Sequence, residues 1–336
     1  MTTHTMRAIR LHEHGGPEVL RYDEAPMPEP GPGEVLVRVH AAGVNPPDWY
    51  LRGGLTTMPG ETESTVRLPV IPGTDVSGVV AAVAADVDTF AVGDAVFGLL
   101  RFPSFHGSGY AEYVAAPAAD LARKPPGLDH VHAAGAPMAG LTAWQFLIAA
   151  GHDHPSPFQA APHRPTALGA GTTVLVNGAA GGVGHLALQL AKGKGARVIA
   201  VASGAHEAFL RDLGADEFID YTKSRPEDLV HDIDLVLDTV GGPHSSRFLR
   251  TLKRGGAQFP VLPGDFDAEE VAKLGVTVSS AQVRSSGAQL AELAGLLDAG
   301  TIRVAIDSTF ALADARAAHE RAARGHIRGK IVLTVA

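Results

Sequence analysis

Between Thr173 and Ser203 the chain reads TVLVNGAAGGVGHLALQLAKGKGARVIAVAS, and few folds accommodate such a stretch. Val174 to Val176 is a short apolar run, as expected of a strand buried on both faces. Gly178, Gly181, Gly182 and Gly184 follow as a tight turn. Val183, Leu186, Leu190 and Ala191 then recur at helical spacing, and Val198 to Val201 is a second apolar run. Strand, glycine turn, helix and strand make one βαβ unit. A glycine turn lets backbone N–H groups approach a phosphate closely, and the helix N-terminus adds partial positive charge. The match to G-x-G-x-x-G is imperfect, because Ala179 takes the first glycine position. Its placement between strand and helix nevertheless predicts a dinucleotide site, with Ala180, Gly181, Gly182 and Val183 at the pyrophosphate. A glycine-rich turn without a ligand is the competing account.

The far end of the unit bears on which dinucleotide. An NAD site usually carries an acid about 20 residues past the first glycine, to accept from the ribose 2′-OH. No acidic residue occurs from His185 to His206, and the strand ends in Ala202-Ser203-Gly204. A small hydroxyl without a carboxylate suits a 2′-phosphate. The expected cofactor is therefore NADPH, with Ser203 as phosphate donor and His206 and Tyr221 as helpers. As an alternative, Ser203 is an ordinary cap or turn residue.

A chain of 336 residues is comfortable for two domains. Its net charge of −8 argues against a nucleic-acid surface. No apolar run approaches the roughly 20 residues that span a bilayer, so no membrane partner is expected. The start, MTTHTMRAIRLHE, lacks the apolar core of a signal peptide, which leads to a cytoplasmic expectation. The absence of cysteine excludes disulfides and thiolate metal sites.

Short strands with Gly/Pro turns fill the first part of the chain, including a half-buried alternating strand over 34–45, and predict a β-rich domain over 1–130. From His132 to Ala150 the chain is alanine-rich and helical in pattern. From Thr173 strands and helices alternate, with a helix expected over 244–252, which predicts a doubly wound parallel sheet within 131–299. Residues 300–336 return to strand-like texture and are expected to rejoin the first domain. Gly151 to Gly171 holds four prolines and three histidines without periodicity. It reads as an exposed loop. His152, His154 and His163 could converge on a metal, but Asp153 is the only carboxylate nearby, and no metal site is expected.

These residues together resemble a family. Ala42-Gly-Val-Asn45-Pro-Pro-Asp48, Pro72-Gly-Thr-Asp75-Val-Ser-Gly78, Val92-Gly-Asp94, Gly109-Tyr-Ala-Glu112-Tyr113, Ala139-Gly-Leu-Thr142, Asn177 to Gly184, Leu213-Gly-Ala-Asp216, Asp238-Thr-Val-Gly241 and Gly329-Lys-Ile-Val-Leu333 are its motifs. The chain resembles the zinc-independent branch of the medium-chain dehydrogenase/reductases, the NADPH:quinone oxidoreductase (zeta-crystallin-like) group. The resemblance implies an α/β fold: a Rossmann nucleotide-binding domain plus a β-rich GroES-like catalytic domain. Zinc members carry a cysteine ligand where this chain has Asn45 and Gly-His-Glu where it has Gly73-Thr74-Asp75. Catalytic zinc needs three protein ligands, so a metal-free hydride transfer to a quinone or conjugated enone is expected. The resemblance places Asn45 at the nicotinamide ribose or substrate, Tyr50 at the acceptor oxygen, and Thr142 at the nicotinamide or diphosphate. Val240 and Val261 follow strand ends at which such folds hold their ligand. Asp48 is expected to tie down its loop. Thioester reductases of the superfamily have a tyrosine where this chain reads Leu55, which argues against thioester reduction. The resemblance also implies a homodimer.

Three functions stay open at this point. One is an NADPH-dependent quinone or enone reductase. Another is a biosynthetic reductase or cyclase for a single natural-product intermediate, its pocket shaped by the Pro/His-rich loop. The third is a crystallin-like protein that binds NADPH without turnover.

Overall fold

A computed structural model describes residues 4–54, 66–156, 159 and 161–335. Leu55 lies outside these residues. In chain order the regular elements are β1 (Thr5–Leu11), β2 (Leu20–Pro26), β3 (Glu34–Val44), α1 (Pro46–Arg52), β4 (Asp75–Val83), β5 (Ala95–Leu99), β6 (Tyr113–Pro117), β7 (Leu121–Arg123), α2 (His130–Gly135) and α3 (Pro137–Leu147). They continue with β8 (Thr173–Asn177), α4 (Gly182–Gly193), β9 (Arg197–Ala202), α5 (Glu207–Asp212), β10 (Glu217–Asp220), β11 (Ile233–Asp238), β12 (Leu252–Pro260), α6 (Ala268–Leu274), β13 (Thr277–Val278), α7 (Gly287–Asp298), β14 (Ile306–Ala311), α8 (Ala315–Ala323) and β15 (Lys330–Thr334).

The chain divides into two compact units, residues 1–141 with 283–336, and residues 142–282. The division falls later than residue 130 and the return earlier than residue 300. Helix α7 accordingly belongs to the first unit, where Gly287 lies so close to β7 that an added Cβ would be 2.3 Å from the Leu121 carbonyl oxygen.

The first unit is built on a sheet ordered β14-β15-β3-β4-β5-β7, with β6 also paired to β3, and a separate hairpin β1-β2. Strand β3 is buried along most of its length rather than on one face only. The reason is pairing: β15, β4 and β6 all bond to it. Val35, Val37, Val39, Val76 and Val96 form one core, and Leu11, Leu51, Tyr110, Ile331 and Leu333 a second.

The second unit is a six-stranded sheet in the order β10-β9-β8-β11-β12-β13, parallel throughout. Each strand's C-terminal end therefore lies on one edge, where such sheets bind ligands. The segment expected as a helix over 244–252 is a 3-10 turn over Ser245–Thr251. Phe248 at its centre is fully buried against Leu175, Ile199, Val201 and Val236. Phe248→Ala should lower the unfolding free energy by about 3–4 kcal/mol, read as a lower urea midpoint at unchanged slope. An unchanged midpoint would show that this ring does not hold the sheet.

Candidate active site

Two constellations carry chemistry, one in each unit. The first begins where β3 ends. Asn45 is extended, with φ −137° and ψ 159°, and caps α1, whose first residue is Pro46. Proline suits that position because its missing N–H is one the helix could not use. Asp48, one turn into the helix, accepts from the Asn45 backbone N–H at 2.8 Å. Tyr110 donates its hydroxyl to the same carboxylate oxygen at 2.9 Å. The Asn45 amide nitrogen donates to Asp75 at 2.9 Å, and the Met138 N–H bonds the other Asp75 oxygen. Lys330 donates to the Asn45 amide oxygen and to the Val44 carbonyl, and lies 3.9 Å from Asp75. Asn45, Asp48, Asp75, Tyr110 and Lys330 are all buried.

A second chain of bonds feeds this cluster. Arg52 donates to Nδ1 of the buried His319 at 3.0 Å, and Nε2 of that ring lies 3.4 Å from the Tyr110 hydroxyl. Arginine has only donors, so Nδ1 must accept and Nε2 carries the ring proton. The donors thus point one way, Arg52 to His319 to Tyr110 to Asp48. Burial, reinforced by the Arg52 charge, drives the His319 pKa down to about 3, which keeps the ring neutral.

Burial dominates the carboxyls as well. It raises Asp48 to about 7 against the hydrogen bonds from Asn45 and Tyr110, and raises Asp75 to about 6 against the pull of Lys330. Burial lowers Lys330 and raises Tyr110 well above its ordinary value. Tyr50, half-buried on α1 against Trp49, is raised by burial too and stays a protonated donor.

The second constellation lies on the C-terminal edge of the parallel sheet. Gly178, at φ +74°, turns the chain out of β8. Gly184 packs against that turn so closely that a Cβ would lie 2.3 Å from the Gly178 oxygen. Gly181 caps α4 without a side chain, and the first bond back into the helix comes from His185 N–H to the Gly181 oxygen. The N–H groups of Gly182, Val183 and Gly184 precede that bond and lack intrahelical partners, as at any helix start. This is an anion cradle of the kind that holds a pyrophosphate. The neighbouring turns are Ser203 and His206 after β9, Tyr221 after β10, Val240 after β11 and Val261 after β12. Tyr221 and Val240 are exposed. The 239–241 turn is fixed by Asp238, whose Oδ1 accepts from Asn177, Val240 N–H and Gly241 N–H, and whose Oδ2 accepts from Ser245 at 2.5 Å.

The structure thus gathers Ala180, Gly181, Gly182, Val183, Ser203, His206, Tyr221, Val240 and Val261 on one sheet edge of the second unit. Thr142 is buried within α3, the first residue of that unit. Asn45 and Tyr50 lie in the first unit, at either end of the first turn of α1. Two of the partners that fix Asn45, namely Asp75 and Lys330, give no signal in the sequence beyond standing inside recurrent motifs.

The Pro/His-rich segment is not wholly a solvated loop. His163 is buried between Phe146 and Phe259, with Nδ1 at 2.8 Å from the Ser279 hydroxyl and Nε2 at 3.0 Å from the Phe146 carbonyl. Its polar atoms are satisfied, so the ring can be core. His152 is likewise bonded, to the Gln282 carbonyl and the His154 N–H. Among the described residues no group of three His, Asp or Glu is placed to hold a metal.

Asp48→Asn tests the buried carboxyl. A raised pKa means the folded chain binds the proton more tightly than the unfolded one. That stability is complete below about pH 4 and lost as pH rises through about 7. The asparagine variant should therefore gain on the parent from pH 5 to pH 8, by about 2 kcal/mol, in urea titrations at both values. A parent-to-variant difference independent of pH would place the proton elsewhere.

Comparison with known proteins agrees with this architecture. Residues 31–126 match the alcohol dehydrogenase GroES-like domain and residues 213–333 the zinc-binding dehydrogenase family. The chain is 33% identical to the mitochondrial NAD(P)H oxidoreductase RTN4IP1 of Mus musculus over 98% of this chain and 89% of that protein. It is 31% identical to the quinone oxidoreductase of Homo sapiens over 98% of this chain and 97% of that one. The solved quinone oxidoreductase of Coxiella burnetii superposes with a TM-score of 0.84 at 33% identity, covering 99% of this chain and all of that one. With its GroES-like and nucleotide-binding parts and a nicotinamide cofactor, the chain is an oxidoreductase and belongs to the medium-chain dehydrogenase/reductase family, among the quinone oxidoreductases.

Proposed function

We propose that the protein is an NADPH-dependent reductase that passes hydride to a quinone or an α,β-unsaturated carbonyl without a metal. The observation that carries the reading is the Lys330 ammonium on the Asn45 amide oxygen. Asn45 stands where zinc relatives carry a cysteine ligand and Gly73-Thr74-Asp75 where they carry Gly-His-Glu, and the Lys330 cation beside Asn45 and Asp75 opposes a second one. The donor set, an engaged amide, a threonine hydroxyl and one carboxylate, does not fit catalytic zinc.

The cradle at the start of α4 does fit a dinucleotide: its N–H groups point out of a turn that carries no capping side chain. When bound, the cofactor supplies hydride from C4 of its nicotinamide. The N–H groups of 182–184 hold the pyrophosphate, and the Ser203 hydroxyl with His206 receives the 2′-phosphate. Tyr50, kept protonated, donates to the acceptor oxygen and draws electron density from the carbon to be reduced. The completing proton comes from solvent or a side chain. The reading includes a homodimer in the cytoplasm, with light scattering and fractionation as its tests.

NADPH oxidation should rise above background with at least one acceptor in a panel of benzoquinones, naphthoquinones and enones. It should persist after treatment with a chelator. Silence across the panel, or activity lost to the chelator and restored by zinc, overturns the reading. Tyr50→Phe should lower kcat/KM about tenfold, and Ser203→Asp should weaken NADPH relative to NADH by about tenfold or more.

A second reading, a reductase specialised for one natural-product intermediate, is favoured by an open surface depression of about 540 Å³ at the Pro/His-rich segment, lined in part by His152, Asp153 and Arg164. Arg164→Ala would then change KM for one acceptor class and spare simple quinones. Equal kinetics for all acceptors would rule this out.

A further inference from the structure

Along β9 and the turn after it no acid occurs before Glu207, which is the ground for reading a 2′-phosphate site at Ser203. The folded chain nevertheless brings a carboxylate there from the neighbouring strand. Strands β9 and β10 are parallel and in register, Asp220 against Ala202. Both strands end at that pair, so their last side chains meet at the same turn. Gly204 shows how closely: a Cβ on it would lie 2.5 Å from Asp220 Oδ2. The Asp220 side chain is 13% exposed and is held by Thr222, whose N–H and hydroxyl both donate to Oδ1. These bonds, with Lys223, keep the carboxyl below the ordinary carboxylate range.

Lys223 is 79% exposed and lies 3.4 Å from Asp220. Arg211 pairs with Glu207 and donates to the Asp216 carbonyl. Arg225 is bound up with Glu227 and Asp228. His206 closes the turn itself. Of these cations Lys223 is the one paired with Asp220, which neutralises it.

We infer that Asp220 is a specificity-determining residue for the cofactor: it offers a carboxylate to the ribose 2′-OH of NADH and withholds Lys223 from the 2′-phosphate of NADPH, so that the preference for NADPH proposed above is narrowed and NADH binds as well. The inference rests on the dinucleotide reading above. A carboxylate accepts from a 2′-OH and repels a phosphate dianion. Lys223, on a four-carbon stem, can leave Asp220 for the phosphate, but the uncovered Asp220 then stands beside that phosphate. The two cofactors are therefore brought towards equal affinity from both sides.

The test is equilibrium binding, followed by nicotinamide fluorescence at fixed ionic strength, because surface ion pairs are screened by salt. NADPH and NADH are titrated into the intact protein, Asp220→Asn and Lys223→Ala. In the parent the two Kd values should lie within about tenfold of each other. Asp220→Asn keeps an oxygen for Thr222 and should move the ratio about tenfold towards NADPH, by tightening NADPH and loosening NADH. Lys223→Ala alters an exposed side chain and should weaken NADPH about fivefold while leaving NADH in place. A parent that separates the two by a thousandfold, or a ratio unmoved in Asp220→Asn, overturns the inference and leaves the dinucleotide reading standing. Failure of both dinucleotides to bind the parent overturns the two together.

Discussion

An ammonium group that water hardly reaches has to be neutralised within a few ångströms, and Lys330 imposes that demand on the first unit. Its side chain is 5% exposed and lies between the Val44 carbonyl, the Asn45 amide and Asp75. An unpaired charge there would cost several kcal/mol, and removal of one partner from a buried pair typically costs about 3–5 kcal/mol. The end of β3, the start of β4 and the start of β15 are therefore tied to one point. Those strands are neighbours in the sheet, in the order β15-β3-β4. The backbone ladder and the buried charge specify the same register, and such agreement between levels marks a sequence that encodes one structure.

The second unit solves its polar problem differently. Asp238 is also buried at a strand end, but three of its four bonds come from groups close by or on the adjacent strand: Asn177, Val240 N–H and Gly241 N–H. No cation is involved. Its carboxylate serves as the hub of a turn and fixes the loop that exposes Val240, a large apolar side chain on the ligand edge of the sheet. One unit holds its candidate residue through a long-range charge, the other through local donors. The difference follows from topology. A parallel sheet collects its strand ends on one edge, so partners arrive by strand order, whereas the mixed sheet of the first unit must bring Lys330 back from the far end of the chain.

Legibility follows the same division. The βαβ unit could be read directly, because a period of 3.6 between two apolar runs and a glycine turn are local patterns. The alternation of strands and helices after Thr173 is legible for the same reason. The 3-10 turn at 245–251 was not, because the Asp238–Ser245 bond and the burial of Phe248 decide it, and both depend on the folded sheet. His163 reads as loop in the sequence because Pro and His in that density carry no period. Its burial depends on Phe146, Phe259 and Ser279, far away in sequence. Asn45 stands out in the sequence through its motif, but Lys330 holds it from 285 residues away, a pairing no spacing rule contains. Asp220 is the sharpest case. A scan along one strand finds no acid, yet the register of the next strand supplies one.

The cluster around Asn45 also settles a question of chemistry that an asparagine usually leaves open. Amide oxygen and nitrogen look alike in shape, and their orientation has to come from their partners. Here it is determined twice. An ammonium can only donate, so the group it meets is the oxygen. Asp75, whenever ionised, can only accept, so the group it meets is the nitrogen. The two constraints agree, and a flipped amide would set oxygen against carboxylate and nitrogen against ammonium. Among the described residues this leaves one N–H of Asn45 uncommitted and its oxygen engaged. The amide is thereby locked into the core of the first unit, 1% exposed, with an internal positive charge on one side and a carboxylate on the other.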